Sequence, residues 1–188
     1  MGLIDFVLKA FGGKRGVEKK PNDGWLKGQR ALESGRQHLI EGRNQEALAC
    51  FDLSIACGLD DGELRMMRGM CLQALDWHLD AIDEFTKSIL MEEEEEDANL
   101  FYIRAMSRVQ IGDEEGFRAD IQHSVRLSKS DNSLNRSYNQ AAVEKGYRSA
   151  SDMFEHLASL FYDQPGFMKE ERIARTRARG RRGSISSD

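Results

Sequence analysis

Residues 46–55, with the sequence EALACFDLSI, recur in related form at residues 80–89 as DAIDEFTKSI. In both stretches a small residue, Ala47 or Ala81, is followed four positions later by phenylalanine and seven positions later by serine. Spacings of four and three positions place these side chains on one face of an α-helix. The step from Ala47 to Ala81 lies within the range of about 20–50 residues that is typical of repeat architectures. The chain is therefore predicted to repeat a helix-turn-helix unit.

The same register extends beyond these two stretches. Gly35 and Gly69 precede the alanines of their repeats by the same distance in sequence. Phe117 begins a third match after a slightly longer step, and Ala150 begins a fourth, more divergent one. The predicted fold class is therefore all-α, because each unit consists of two helices that bury a common face by stacking on their neighbours.

Aspartates stand where several of these helices are predicted to begin. Asp61, Asp97 and Asp113 each precede a helical pattern by one or two positions. A short side-chain oxygen at this position can accept a hydrogen bond from a free backbone N–H of the first turn, so these three residues are predicted N-caps.

The pattern resembles that of the tetratricopeptide repeat family, in which a small residue in the first helix and a turn glycine precede alanine, an aromatic residue and a small residue on the second helix. The matching positions are Gly35, Gly42, Ala47, Phe51 and Ser54 in the first repeat, Gly69, Ala81, Phe85 and Ser88 in the second, and Ala105, Gly112 and Ser124 in the third. Asp76 departs from the turn glycine, and Phe117 and Ile121 depart in the third repeat. The resemblance implies a right-handed superhelical solenoid that binds another protein, a peptide or an amphipathic helix, in its concave groove.

Composition divides the chain into three parts. They are an amphipathic and basic N-terminal segment with a linker at 1–24, a repeat domain at 25–162, and a basic C-terminal tail at 163–188 that is predicted to be disordered. Within the domain the repeats fall at about 25–59, 60–95 and 96–130, with the divergent one at 131–162. The two prolines, Pro21 and Pro165, both lie outside the repeats, as expected for residues that interrupt helices.

In the family, the first helix of each pair lines the concave groove, and this implies a set of partner-binding residues. The candidates are Leu32, Arg36, Met66, Met67, Met70, Tyr102, Ile103 and Met106. Methionine is unbranched and polarizable, so a strip of this kind can accept varied apolar ligands. Two alternatives are open: the methionines are core residues, or the N-terminal segment or C-terminal helix of the chain itself fills the groove.

The two ends of the chain are basic and the remainder is acidic. Residues 1–20 carry a net charge of +3, residues 172–182 carry +6, and the rest carries −14, against a total of −5. Leu3, Ile4, Val7, Leu8 and Phe11 fall on one helical face. This segment either docks on the solenoid as a cap or lies on an anionic membrane. Four arginines of the tail also share one face: Arg172, Arg175, Arg179 and Arg182.

These ends support a second hypothesis, in which the protein is a peripheral membrane-associated or nucleic-acid-associated factor and the repeats are a spacer. Phosphate or lipid binding of this kind weakens steeply with salt. The acidic body itself is a poor match for nucleic acid, because it repels phosphates.

Residue patterns that carry chemistry are missing from the sequence. The four histidines have no metal-ligand spacing, and neither a G-x-S-x-G motif nor a complete phosphate-binding loop occurs. We therefore expect a protein that is not an enzyme, with no cofactor, no metal and no small-molecule substrate. No apolar run reaches the ~20 residues needed to cross a bilayer, and the three cysteines suit a reducing compartment. The expected location is the cytoplasm, with peripheral membrane contact as the alternative.

Overall fold

The structure is a computed structural model that describes residues 23–91, 97–129 and 133–162. All regular elements in these ranges are helices, which confirms the predicted all-α class. They are α1 (Asp23–Ile40), α2 (Asn44–Ala56), α3 (Gly62–Ala74), α4 (His78–Met91), α5 (Ala98–Ile111), α6 (Glu114–Ser128), α7 (Ser133–Glu144) and α8 (Ala150–Tyr162).

The first six helices form three consecutive pairs. Helix α1 packs on α2, α3 on α4, and α5 on α6, and the pairs stack through contacts of α2 with α3 and of α4 with α5. Each pair therefore contacts mainly its neighbours in sequence, as a solenoid requires.

A close contact between a glycine and a phenylalanine joins the two helices in each of the first two pairs. A Cβ atom on Gly35 would lie 2.5 Å from Cε1 of Phe51, and one on Gly69 would lie 2.6 Å from Cε1 of Phe85. Both rings are fully buried. The period of the sequence is thus a period of physical contacts, in which glycine lets the paired helices approach and the ring fills the space between them.

A buried hydrogen bond repeats with the same period. Ser54 Oγ donates to the backbone oxygen of Gly28 at 3.0 Å, and Ser88 Oγ donates to that of Gly62 at 2.7 Å. In the third pair Ser124 is also fully buried, but its Oγ has no hydrogen-bond partner. The small residue of the repeat pattern therefore bonds across the helix pair in the first two repeats only.

Side-chain hydrogen bonds explain the predicted helix starts, and the residue type explains the backbone conformation at Asp76. The side chains of Asp61, Asp97 and Asp113 accept hydrogen bonds from backbone N–H groups of α3, α5 and α6, which confirms them as caps. Gly42 has a φ of 73°, and Asp76, which stands in place of the second turn glycine, has a φ of 61°. Aspartate is among the residues that tolerate this left-handed conformation, because its short polar side chain can bond locally.

Buried ion pairs hold successive helices together. Glu84 of α4 is nearly fully buried, and it accepts a hydrogen bond from Arg65 at 3.0 Å and forms an ion pair with Arg68 at 3.1 Å, both on α3. Asp120 of α6 pairs in the same way with Arg104 of α5 at 2.7 Å. Arg68 also reaches back to Asp52 of α2 at 2.8 Å, so one guanidinium connects two repeats.

The fourth pair packs differently from the first three. Helices α7 and α8 contact each other, but α8 has a more extensive contact with α6 than α7 has. In a regular stack the first helix of a pair would make this contact. The residues between 131 and 162 therefore include a helix pair whose second helix lies against the preceding repeat.

Several sequence predictions concern residues outside the described ranges. These are the apolar face of residues 3–11 and the tail arginines Arg172, Arg175, Arg179 and Arg182. Within residues 23–91, 97–129 and 133–162, no helix combines the length and apolar character required to cross a membrane.

Candidate protein-binding surface

The first helices of the three regular pairs lie side by side on one face of the molecule. Arg36 of α1 forms an ion pair with Glu63 of α3 at 2.9 Å. The side-chain nitrogen of Gln73, at the other end of α3, donates to the backbone oxygen of Ile103 at 2.9 Å and to Ser107 Oγ at 2.8 Å. These contacts place the predicted inner positions of α1, α3 and α5 on one continuous surface, which we call the groove.

The structure divides the eight predicted partner-binding residues into two groups. Leu32, Arg36 and Met106 are half-buried and lie at the surface of the groove. The other five are buried in the hydrophobic core: Met66, Met67, Met70, Tyr102 and Ile103. The burial of the three methionines agrees with the alternative that they are core residues, and Tyr102 and Ile103 are buried with them, whereas the role of all five in partner binding stays a prediction.

The reason for this burial is the position of α3 in the stack. The helix contacts α4, its partner in the pair, and it also contacts α1 and α5 on either side. Because α3 packs against neighbouring helices on several sides, fewer of its side chains reach the solvent than its sequence pattern suggests. Met66 and Met67 both have an exposed fraction of 0%, so both fill the spaces between these helices.

The accessible apolar part of the groove lies at the carboxyl ends of its helices. Ile40, in the last turn of α1, is 53% exposed. The equivalent residues are Ala74 of α3, which is exposed, and Gln110 of α5, which is half-buried. We call Ile40, Ala74 and Gln110 the rim. The repeat pattern assigns these residues to the groove, and Ile40 and Ala74 are separated by the same step as Gly35 and Gly69.

The polar groups of the groove are partly buried. Burial raises the pKa of the Glu63 carboxyl above its usual value, although the Arg36 guanidinium beside it acts in the opposite direction. The ion pair therefore lies in surroundings from which water is partly excluded. A partner that covers it would strengthen the attraction between the two charges by lowering the local dielectric constant.

The first half of α5 has a different environment. Asp97, its N-cap, is 1% exposed, and Tyr138 of α7 donates a hydrogen bond to its Oδ2 atom at 2.9 Å. Burial raises the pKa of Asp97 to about 6 in spite of the hydrogen bonds from Asn99 and Tyr138. The ring of Tyr102 lies 5.0 Å from that of Phe154 in α8. The fourth pair thus covers this end of the groove.

Asn99 lies on the covered half of α5, at a position that the repeat pattern assigns to the groove. Its side chain is fully buried, and neither its Oδ1 atom nor its Nδ2 atom has a hydrogen-bond partner. The sequence did not indicate this burial, because polarity at a groove position is compatible with an exposed side chain. In the described ranges, histidine, cysteine and carboxylate side chains form no cluster that could hold a metal ion.

The comparisons with known proteins agree with the architecture. No family model and no curated protein matches this chain. Among solved structures, the chain is similar to PcrH, whose crystal structure was determined in complex with the chaperone-binding region of PopD. The TM-score is 0.54 at 18% sequence identity, and the alignment covers 76% of this chain and 98% of that one. At this level of identity the similarity shows a shared helical fold.

Proposed function

We propose that this protein is an adaptor or scaffold that holds a peptide or a helix of a partner protein in the groove formed by α1, α3 and α5. The observation that carries the proposal is the side-by-side arrangement of these helices, with an exposed apolar residue at the rim. The solved structure of PcrH with a region of PopD supports it, since a protein of similar fold binds a segment of another protein. The proposal involves no catalysis and no cofactor.

The chemistry of the groove defines the kind of segment that would fit. Ile40 at the rim and the half-buried Leu32 and Met106 offer apolar contacts, and Arg36 with Glu63 offers one charged pair. Burial of apolar area contributes about 25 cal/mol per Å². A partner segment should therefore contribute large apolar side chains, and its affinity should depend only weakly on salt, because apolar contacts are not screened.

The test is affinity capture with the intact chain, followed by mass spectrometry and a binding measurement with the identified partner. Ile40→Glu and Met106→Glu should each abolish capture or weaken it about tenfold or more, because a charge is placed in an apolar contact. Leu90→Glu is the matched control, since Leu90 is 77% exposed on a second helix, α4. Capture that is unchanged in both groove variants, or that is lost on raising the salt concentration, would contradict the proposal.

A further inference from the structure

Building on the proposed function, we propose that α7 and α8 act as a displaceable cover over the first half of α5, and that an extended segment of the partner protein replaces them there. In the bound state, a peptide group of the segment pairs with the side-chain amide of Asn99. The partner is thereby assigned as an extended segment with a large apolar side chain.

Two contacts show that the fourth pair occupies groove positions. Tyr102 is one of the residues that the repeat pattern assigns to the groove, and the ring of Phe154 lies against it at 5.0 Å. Tyr138 bonds to Asp97, the cap of the same helix. Phe154 is thus an apolar side chain of the chain itself in the place where a partner's side chain would pack.

One polar side chain on the covered half of α5 is not satisfied. Both atoms of the Asn99 amide are buried without hydrogen-bond partners, on the helix whose residues Asp97 and Tyr102 contact the fourth pair. The great majority of buried side-chain polar atoms in folded proteins have a partner. Gln73, on the same inner face, has two. The closed cover therefore carries a desolvation penalty that a better-matched occupant would remove.

The hydrogen-bonding groups of the Asn99 side chain indicate the conformation of the partner segment that would bind there. Its side chain has one acceptor and two donors, which match the N–H and C=O groups of a peptide bond. In the interior of a helix both groups are already bonded within the helix. In an extended chain, the backbone N–H and C=O groups along one edge are free to form hydrogen bonds with another group. An extended segment can therefore satisfy both Asn99 atoms, whereas a helical segment cannot do so along its length.

The first experiment measures hydrogen exchange of the full chain under native conditions. The backbone amides of α7 and α8 should exchange at least about tenfold faster than those of α3 and α4, because the fourth pair should open more often. Phe154→Ala should increase this opening about tenfold further, and Leu160→Ala, at an exposed residue of the same helix, should leave it unchanged. Equal protection of α8 and α3, in the intact chain and in Phe154→Ala, would overturn the cover.

The second experiment uses a displayed library of random dodecapeptides, selected on the full-length Phe154→Ala protein. Selected peptides should bind Phe154→Ala about tenfold more tightly than the intact chain, because apparent affinity scales with the population of the open state. Adding Asn99→Leu to Phe154→Ala should weaken binding about tenfold. Methylation of one peptide nitrogen should have a similar effect, and this effect should vanish when Asn99 is leucine.

The outcomes separate this inference from the function on which it rests. If peptides bind through Ile40 and Met106 but are indifferent to Asn99 and Phe154, the cover is overturned and the groove function stands. If no peptide binds any variant, both are overturned. Circular dichroism of each variant shows whether it has kept its helices, and a variant that has lost them is replaced by Tyr138→Phe, which removes the hydroxyl that bonds to Asp97.

Discussion

At the scale of the residue, the fold depends on positions where the size of a side chain is decisive. Gly35 and Gly69 lie in the interior of α1 and α3, where glycine is normally unfavourable because it loses more backbone entropy than alanine. The rings of Phe51 and Phe85 occupy the space that a Cβ atom would need. These glycines therefore serve the packing of the paired helices.

Gly35→Ala tests this interpretation. In an unconstrained helix the change would add about 1 kcal/mol of stability. Here the new Cβ atom would lie 2.5 Å from a ring carbon, and overpacking of this kind typically costs about 1–3 kcal/mol. We expect a net loss of up to about 2 kcal/mol in the free energy of unfolding, measured with urea. Ser34→Ala, at the exposed neighbouring position, is the control, and a stabilised Gly35→Ala would contradict the assigned contact.

At the scale of the element, helices are joined by buried charges as well as by apolar contacts. Burial alone would raise the pKa of Glu84, but hydrogen bonds from Lys87 and Arg65 hold it below its usual value. The stability that this group contributes is present above its ordinary pKa and is lost as the pH falls. Asp97 has the opposite behaviour, because its folded-state pKa is raised.

Glu84→Ala should destabilise the protein strongly. Removing Glu84 leaves Arg65 and Arg68 with only their more exposed partners Asp60 and Asp52, and breaking a buried ion pair typically costs about 3–5 kcal/mol. Asp83→Ala is the matched control, because Asp83 precedes Glu84 on α4 and is exposed. Urea unfolding at neutral pH measures both, and a Glu84→Ala variant within about 0.5 kcal/mol of the control would show that the pairing contributes little.

Asp97 gives a prediction about pH. In the folded state its carboxyl keeps a proton up to a pH of about 6, against an ordinary pKa of 3.8. The folded state therefore binds more protons between these values, and the contribution of Asp97 to stability falls as the pH rises. Relative to Asp97→Asn, which keeps the cap, the intact protein should lose about 2 kcal/mol between pH 4 and pH 7. If the free energies of unfolding of the two proteins change with pH in parallel, the pKa of Asp97 is not raised.

At the scale of the whole molecule, the stack decides which side chains of a helix reach the solvent. Met67 and Met106 both belong to the predicted groove set, and both are methionines on first helices of a pair. The central position of α3 buries Met67 completely, whereas Met106 of α5 is half-buried.

The two methionines should therefore respond differently to a charge. Met67→Glu buries a carboxylate without a partner, which costs several kcal/mol, and we expect a protein that is largely unfolded or melts at a far lower temperature. Met106→Glu should keep its helical signal and most of its melting temperature. Circular dichroism during thermal unfolding distinguishes them. A folded Met67→Glu protein would place Met67 at the surface.

The sequence alone determined the features that depend on neighbouring residues and on neighbouring repeats. The repeat period predicted the paired helices and the positions of their small and aromatic residues, and the aspartates predicted the starts of α3, α5 and α6. These features could be predicted because each arises from a local pattern and recurs between elements that follow each other in the chain.

Only the tertiary structure decided which groove residues are exposed and what covers α5. The burial of Met66 and Met67 depends on helices that flank α3 on both sides, and the packing of α8 against α6 breaks the order that the repeat implied. The unsatisfied amide of Asn99 lies beneath a helix pair that comes much later in the chain. A periodic pattern specifies which side of a helix is apolar. Contacts between distant parts of the chain determine which helices pack against that side.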